Sequence, residues 1–242
     1  MSIAENIAAI RARMARAAER AGREAGAITL MAVSKTFPAQ AIREAYQAGV
    51  RVFGENRVQE FAEKVAALGD LATSPSALRE PARFHLIGHL QSNKVGKAAE
   101  IFHAIDSLDS LRLAEKLNSA SQQLGRTLDA LIEINIGGEA QKSGLAPDSA
   151  ELDELLAAAP QLRNLRIRGL MAVPPWTDDS EPSRPFFRAL RQLRDRIAQR
   201  RLPDVELDVL SMGMSHDFEV AIEEGATCVR VGTAIFGKRT KA

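Results

Sequence analysis

Short apolar runs alternate with amphipathic stretches eight times along this chain, and few folds accept that rhythm. The runs are Ile28–Val33, Val50–Phe53, Phe84–Gly88, Ile101–Ile105, Leu128–Ile136, Ile167–Val173, Glu206–Leu210 and Cys228–Gly232. Each is short and apolar on both faces, as parallel strands become when helices cover them. Helical spacing marks Ala39–Ala48, Val58–Leu68, Gln91–Glu100, Ser110–Gln123, Ser149–Ala158, Pro185–Arg200 and Ser215–Glu224 between them. Ile3, Ile7, Ile10 and Met14 fall on one helical face and predict a further helix ahead of the first strand. Gly49, Gly69, Gly125, Pro160, Pro203 and Gly225 punctuate the exits. Repeated βα units imply a parallel sheet, open or closed. Eight units after one leading helix favour closure. The expectation is an α/β fold, a single (β/α)8 TIM barrel with an extra N-terminal helix, residues 1–242 forming one domain. Leu71–Arg83, with Pro75 and Pro81, reads as a loop on the inert face; the Pro174–Asp179 loop follows strand six on the opposite one.

The charge balance narrows the partners. Lys plus Arg number 32 and Asp plus Glu 31, a net charge of +1, so neither nucleic acid nor a membrane surface is an expected partner. The most basic feature, Lys238, Arg239 and Lys241, reads as a solvated end. No stretch approaches the roughly 18 apolar residues of a membrane span. Met1–Asn6 lacks the basic region and apolar run of a secretory leader, and Cys228 is the one cysteine. A cytoplasmic protein is expected.

In a closed barrel the functional groups gather where strands end. Lys35 shares the parity of Met31 and Val33, so an inward Lys35 lies over apolar neighbours, a setting that favours a neutral, nucleophilic amine. Solvent is the competing destination for a strand-end lysine. Strands seven and eight end in Ser211-Met212-Gly213-Met214-Ser215 and Gly232-Thr233. Both exits combine glycine with hydroxyl donors where this fold usually holds phosphate. Ser215 also reads as a helix cap. Arg230 shares the parity of Gly232, so an inward glycine implies an inward guanidinium. Its partner is either an acid from another strand, such as Glu133 or Asp106, or a heteroaromatic ring nitrogen. Lysine, phosphate donors and such an arginine together describe a site for pyridoxal 5′-phosphate (PLP). Asn56 is within reach of a ring oxygen, although its spacing favours capping the next helix. Lys142, in a glycine-bounded loop, is the rival amine. His85, His89, His103, His216 and Cys228 form no metal-ligand spacing.

Met31-Ala32-Val33-Ser34-Lys35-Thr36 resembles the cofactor-lysine segment of the pyridoxal phosphate homeostasis proteins. The resemblance continues through Phe53–Glu60, Phe84–Lys94, Lys142–Gly144, Arg168–Met171, Leu210–Ser215 and Arg230–Gly237. It implies a barrel like the N-terminal domain of alanine racemase, with PLP as a Schiff base on Lys35 and Arg230 at the pyridine nitrogen. Ser211, Gly232 and Thr233 are implied in holding the phosphate, with Ser215 beside them, and Asn56 lies in a cofactor block. His216 stands where the family has a small or acidic residue. The function implied is intracellular vitamin B6 and amino-acid homeostasis, a PLP carrier or regulator and not an enzyme. Apo-enzymes are its expected recipients.

Two alternatives come from other classes: a PLP-dependent racemase or decarboxylase, and a barrel enzyme whose Lys35 acts on a sugar phosphate. Only five residues follow Gly237, so the second domain of alanine-racemase-type enzymes is expected to be missing, and a monomer is expected with it. The one tyrosine, Tyr46, falls inside the first barrel helix. An arginine at the ring nitrogen also makes a poor electron sink.

Overall fold

The computed structural model describes residues 1–69, 71, 81–139 and 141–237. Most of the expected Leu71–Arg83 loop, and the basic tail from Lys238, lie outside the described residues. Among those described, the strands are β1 (Thr29–Val33), β2 (Val52–Glu55), β3 (Arg83–Leu86), β4 (Ala104–Leu108), β5 (Leu128–Glu133), β6 (Leu165–Met171), β7 (Val205–Ser211) and β8 (Cys228–Val231). All are parallel and run in sequence order around a closed barrel, β8 pairing with β1. The helices are α1 (Ile3–Arg20), α2 (Ala39–Gln47), α3 (Val58–Leu68), α4 (Val95–Ile101), α5 (Leu111–Gln123), α6 (Ala150–Ala158), α7 (Arg184–Gln199), α8 (Phe218–Glu223) and α9 (Thr233–Phe236).

The (β/α)8 expectation and the leading helix are therefore both met. α1 begins in a capping box: Ser2 Oγ accepts the Glu5 N–H while the Glu5 carboxylate accepts the Ser2 N–H. It buries Ile7, Ile10, Met14, Ala17 and Ala18. Its neighbours are α2, α8 and α9. Because α9 has only four residues, α1 fills the wall that a full helix after β8 would otherwise supply. Asn6 Nδ2 donates to the Ile235 carbonyl at 2.8 Å, and Arg13 pairs with Glu219 at 2.7 Å.

Element boundaries moved where apolar runs cross from helix to strand. Ile101 closes α4 instead of opening β4, and β2 starts at Val52 instead of Val50. The first residues of the expected Gln91–Glu100 helix instead include a 3-10 turn, Ser92–Lys94.

Alternation along each strand builds two packed layers. Leu30 and Ala32 of β1 join the outer core beneath the helices, while Val33 and Lys35 line the interior at the barrel mouth. Under α3 the outer layer holds a cluster of aromatic rings. There the Phe61 ring lies 4.6 Å from Phe84 and 4.8 Å from Phe102, and Phe53 lies 5.4 Å from Phe84. All four rings are fully buried. Such pairs add about 0.5–1.5 kcal/mol each beyond area burial. Phe61 anchors α3 to Phe84 of β3 and to Phe102, so Phe61→Ala should cost roughly 3–5 kcal/mol. Urea denaturation checks this: the midpoint should fall with the slope unchanged.

Candidate functional site

At the C-terminal end of the strands lies a cavity of about 630 Å³. That is within the roughly 300–1,000 Å³ of small-molecule sites. Its wall brings together Lys35, Asn56, Ser215, Arg230, Gly232 and Thr233, contributed by the exits of β1, β2, β7 and β8. The seventh candidate, Ser211, is not part of that wall.

Lys35 lies two residues beyond β1 and is half-buried beside Val33. Thr36 follows it at a φ of 68°, the left-handed region that β-branched residues rarely enter. The rival amine lies elsewhere. Lys142 pairs with Glu139 at 2.5 Å and donates to the Pro174 carbonyl at 3.3 Å, and it is not part of the cavity wall.

Arg230 is only 4% exposed. Its Nη1 donates to Ser211 Oγ and its Nη2 to the Ala172 carbonyl, both at 2.8 Å. Ser211 is thus bound to the arginine side chain. Among the described residues no acid makes an ion pair with Arg230; Cys228, Asp106, Asp217 and Glu133 act on it only through their fields, and burial pushes its pKa down. Because a guanidinium has five donors, it retains N–H groups beyond the two it uses here.

From the sequence Ser215 reads both as a phosphate donor and as the cap of a helix beginning there. The helix instead starts at Phe218, with Asp217 at the cap position. Asp217 Oδ1 accepts the Met214 N–H at 2.6 Å and folds the β7 exit back on itself. Gly213 permits this path: its φ is 90°, and a Cβ there would lie 2.5 Å from the Ala221 Cβ. The result frees the Ser215 hydroxyl from helix capping and turns it toward β8, where it accepts the Gly232 N–H at 3.3 Å.

Asn56 likewise does not cap. The cap position of α3 is Arg57, which makes no side-chain cap bond, and Asn56 lines the cavity. Its backbone lies against Gly88, where any Cβ would strike the Asn56 carbonyl. The sequence reading also missed the aromatic rim. Trp176, 66% exposed in the loop after β6, packs on His216 with ring centroids 3.9 Å apart and the planes tilted by 44°. A lone tryptophan in a loop on the functional face was the available signal.

Comparisons with known proteins agree with this geometry. Residues 6–240 match the family model of the alanine racemase N-terminal domain. The pyridoxal phosphate homeostasis protein of Aquifex aeolicus is 44% identical over 239 residues, 99% of both chains. That of Escherichia coli K12 is 46% identical over 237 residues, 98% of this chain and 97% of its own. PipY of Synechococcus elongatus, solved with PLP bound, superposes with a TM-score of 0.81 at 39% identity, covering 98% of this chain and all of that one.

Glu133, ending β5, adds a titratable group near the mouth. Burial, followed by the nearby Asp109 charge, pushes its carboxyl up to about 7, against the pull of Arg230 and His89. Its ordinary value is 4.5, so between there and 7 the folded state holds more protons than the unfolded chain. Stability contributed by this group is complete below that window and is lost as pH rises through it. His103, whose pKa burial pushes down to about 4, contributes with the opposite sign over part of this range. The Glu133 contribution is therefore read as a difference: between about pH 5 and about pH 8 the urea midpoint of the native protein should fall relative to that of Glu133→Gln.

Proposed function

The chain belongs to the alanine racemase N-terminal domain family, among the pyridoxal phosphate homeostasis proteins, and from that premise we propose that it binds PLP at the barrel mouth as a carrier and regulator. The observation that carries this reading is the single cavity wall shared by Lys35, Asn56, Ser215, Arg230, Gly232 and Thr233. The donor set fits the group: an amine, two hydroxyls and a buried guanidinium with spare N–H groups. When bound, PLP supplies an aldehyde carbon, which condenses with a primary amine to a Schiff base and releases one water.

The residues divide this work. Lys35 is the amine. Thr233 and Ser215, with the backbone of the β8 exit, hold the phosphate; Ser211 orients Arg230. Arg230 donates to the pyridine nitrogen and keeps it unprotonated, which weakens the ring as an electron sink and favours holding over carbanion chemistry. Asn56 holds the ring's side, and Trp176 with His216 edges the entrance. The entrance lies at the solvent-facing rim, where amines and recipient apo-enzymes have access. The proposal takes residues 1–242 as one domain, acting as a monomer in the cytoplasm. Among the described residues no helix is long and apolar enough to cross a membrane.

Borohydride reduction of the PLP-loaded protein should fix the pyridoxyl group on the peptide containing Lys35, as peptide mass mapping would show. Lys35→Ala should lose the Schiff-base absorbance; label found mainly on Lys142 would sink the assignment. Incubation with L-alanine should give exchange of the bound amine without turnover, and robust racemisation would overturn the carrier reading.

The phosphate assignment has its own test. A charge-assisted hydrogen bond contributes roughly 1.5–3 kcal/mol, about one to two decades in affinity. Thr233→Val and Ser215→Ala should each weaken PLP by about that much and leave pyridoxal, which lacks the phosphate, nearly unaffected. Titration of both ligands against both variants decides it, equal weakening counting against a phosphate role.

A further inference from the structure

Behind Lys35, on the outer face of the barrel, four polar side chains are packed between the strands and α3. Ser34 and Glu55 are both fully buried. They share the outward parity of Ala32 and Phe53, opposite to that of Lys35. Glu60 and Lys64 stand four residues apart on α3 and so share one helical face. Lys64 Nζ donates to Glu55 Oε1 at 3.0 Å, to Glu60 Oε1 at 2.8 Å and to the Ser34 carbonyl at 3.1 Å. Ser34 Oγ donates to Glu55 Oε1 at 2.7 Å, and the Thr36 N–H donates to Glu60 Oε1 at 2.5 Å.

The cluster grips the chain immediately before and immediately after Lys35. The Ser34 carbonyl and the Thr36 amide are the two backbone groups that flank this residue, and both are bound to the same ion cluster. Thr36 holds its left-handed φ of 68° in that grip. We propose that Lys64, with Glu60 and Glu55, is a positioning device that fixes the backbone at Lys35 and so aims its amine into the cavity. The inference rests on the reading of Lys35 given above.

Stability alone does not account for such a cluster. Burial pushes the Glu55 carboxyl up, against the attraction of Lys64. A buried ion pair is often no more stable than apolar residues of the same volume. Apolar side chains of similar volume could fill the same buried space. They would offer nothing to the Ser34 carbonyl or the Thr36 amide. What the charges add is direction. Lysine has four rotatable bonds, and a displacement of about 1 Å at a reacting group can cost on the order of a hundredfold in rate.

Two measurements test the proposal. The first needs no cofactor: hydrogen exchange at the Thr36 amide, followed by NMR, in Glu60→Gln and Lys64→Met. Exchange should accelerate at least about tenfold at Thr36, about 1.4 kcal/mol of lost protection, while the β5 amides keep theirs. Unchanged exchange at Thr36 overturns the clamp. The second compares PLP with pyridoxine 5′-phosphate, whose alcohol cannot form a Schiff base. Lys64→Met should weaken Schiff-base formation about tenfold and leave pyridoxine 5′-phosphate affinity unchanged. Equal loss of both ligands means a merely structural role and overturns the proposal. If Lys64→Met does not fold, the double variant Glu55→Gln/Lys64→Met removes the buried charge along with its partner. Absence of any Schiff base in the native protein would sink the reading of Lys35, and the Thr36 amide would still judge the clamp.

Discussion

Closure of β8 onto β1 is the constraint on which everything else depends. It pairs Met31 with Arg230 and Ala32 with Val231, joining segments from opposite ends of the chain. Beyond those pairs lie Lys35 on one strand exit and Gly232 with Thr233 on the next. Side chains alternate with a period of two, so a slip of one residue would turn Arg230 into the helix layer and Lys35 away from the mouth. The outer core forbids that slip, since Leu30, Ala32, Val229 and Val231 must face the helices. Apolar packing outside the barrel thereby sets the polar contents inside it.

That logic explains what could be read from the sequence. The alternation of strand and helix is local, and so is parity along a strand, so the place of Lys35, Arg230, Gly232 and Thr233 on the cavity wall was legible. Ser211, Ser215 and Asn56 were legible as residues but not as roles. Serine and asparagine serve equally as helix caps and as ligands. Only the start of α8 at Phe218 and the cap position at Arg57 separate the two uses. The bond from Arg230 to Ser211 crosses between β8 and β7. Nothing on either strand alone announces it. The Glu55–Lys64 cluster is hidden for the same reason: on sequence, Glu60 and Lys64 are an ordinary pair on a helix face.

Two polar systems thus occupy opposite sides of the same barrel wall. The outer one is a closed set of charges whose three ammonium N–H groups all find acceptors, and it acts on backbone. The inner one is open: Arg230 is held by two neutral oxygens and retains donors toward the cavity. A rigid frame outside and unfilled hydrogen-bonding capacity inside is the arrangement a resident ligand requires.

Glu133 bears on how that capacity stays available. An ionised carboxylate close to a buried guanidinium would draw it into an ion pair and occupy the N–H groups that face the mouth. Burial and the Asp109 charge oppose this by holding the Glu133 proton up to about pH 7. Below that pH the Glu133 carboxyl is neutral and makes no claim on the Arg230 donors. Above it, the carboxylate becomes a competitor for the same donors. The acid at the end of β5 and the arginine on β8 are therefore coupled through their fields, without an ion pair between them.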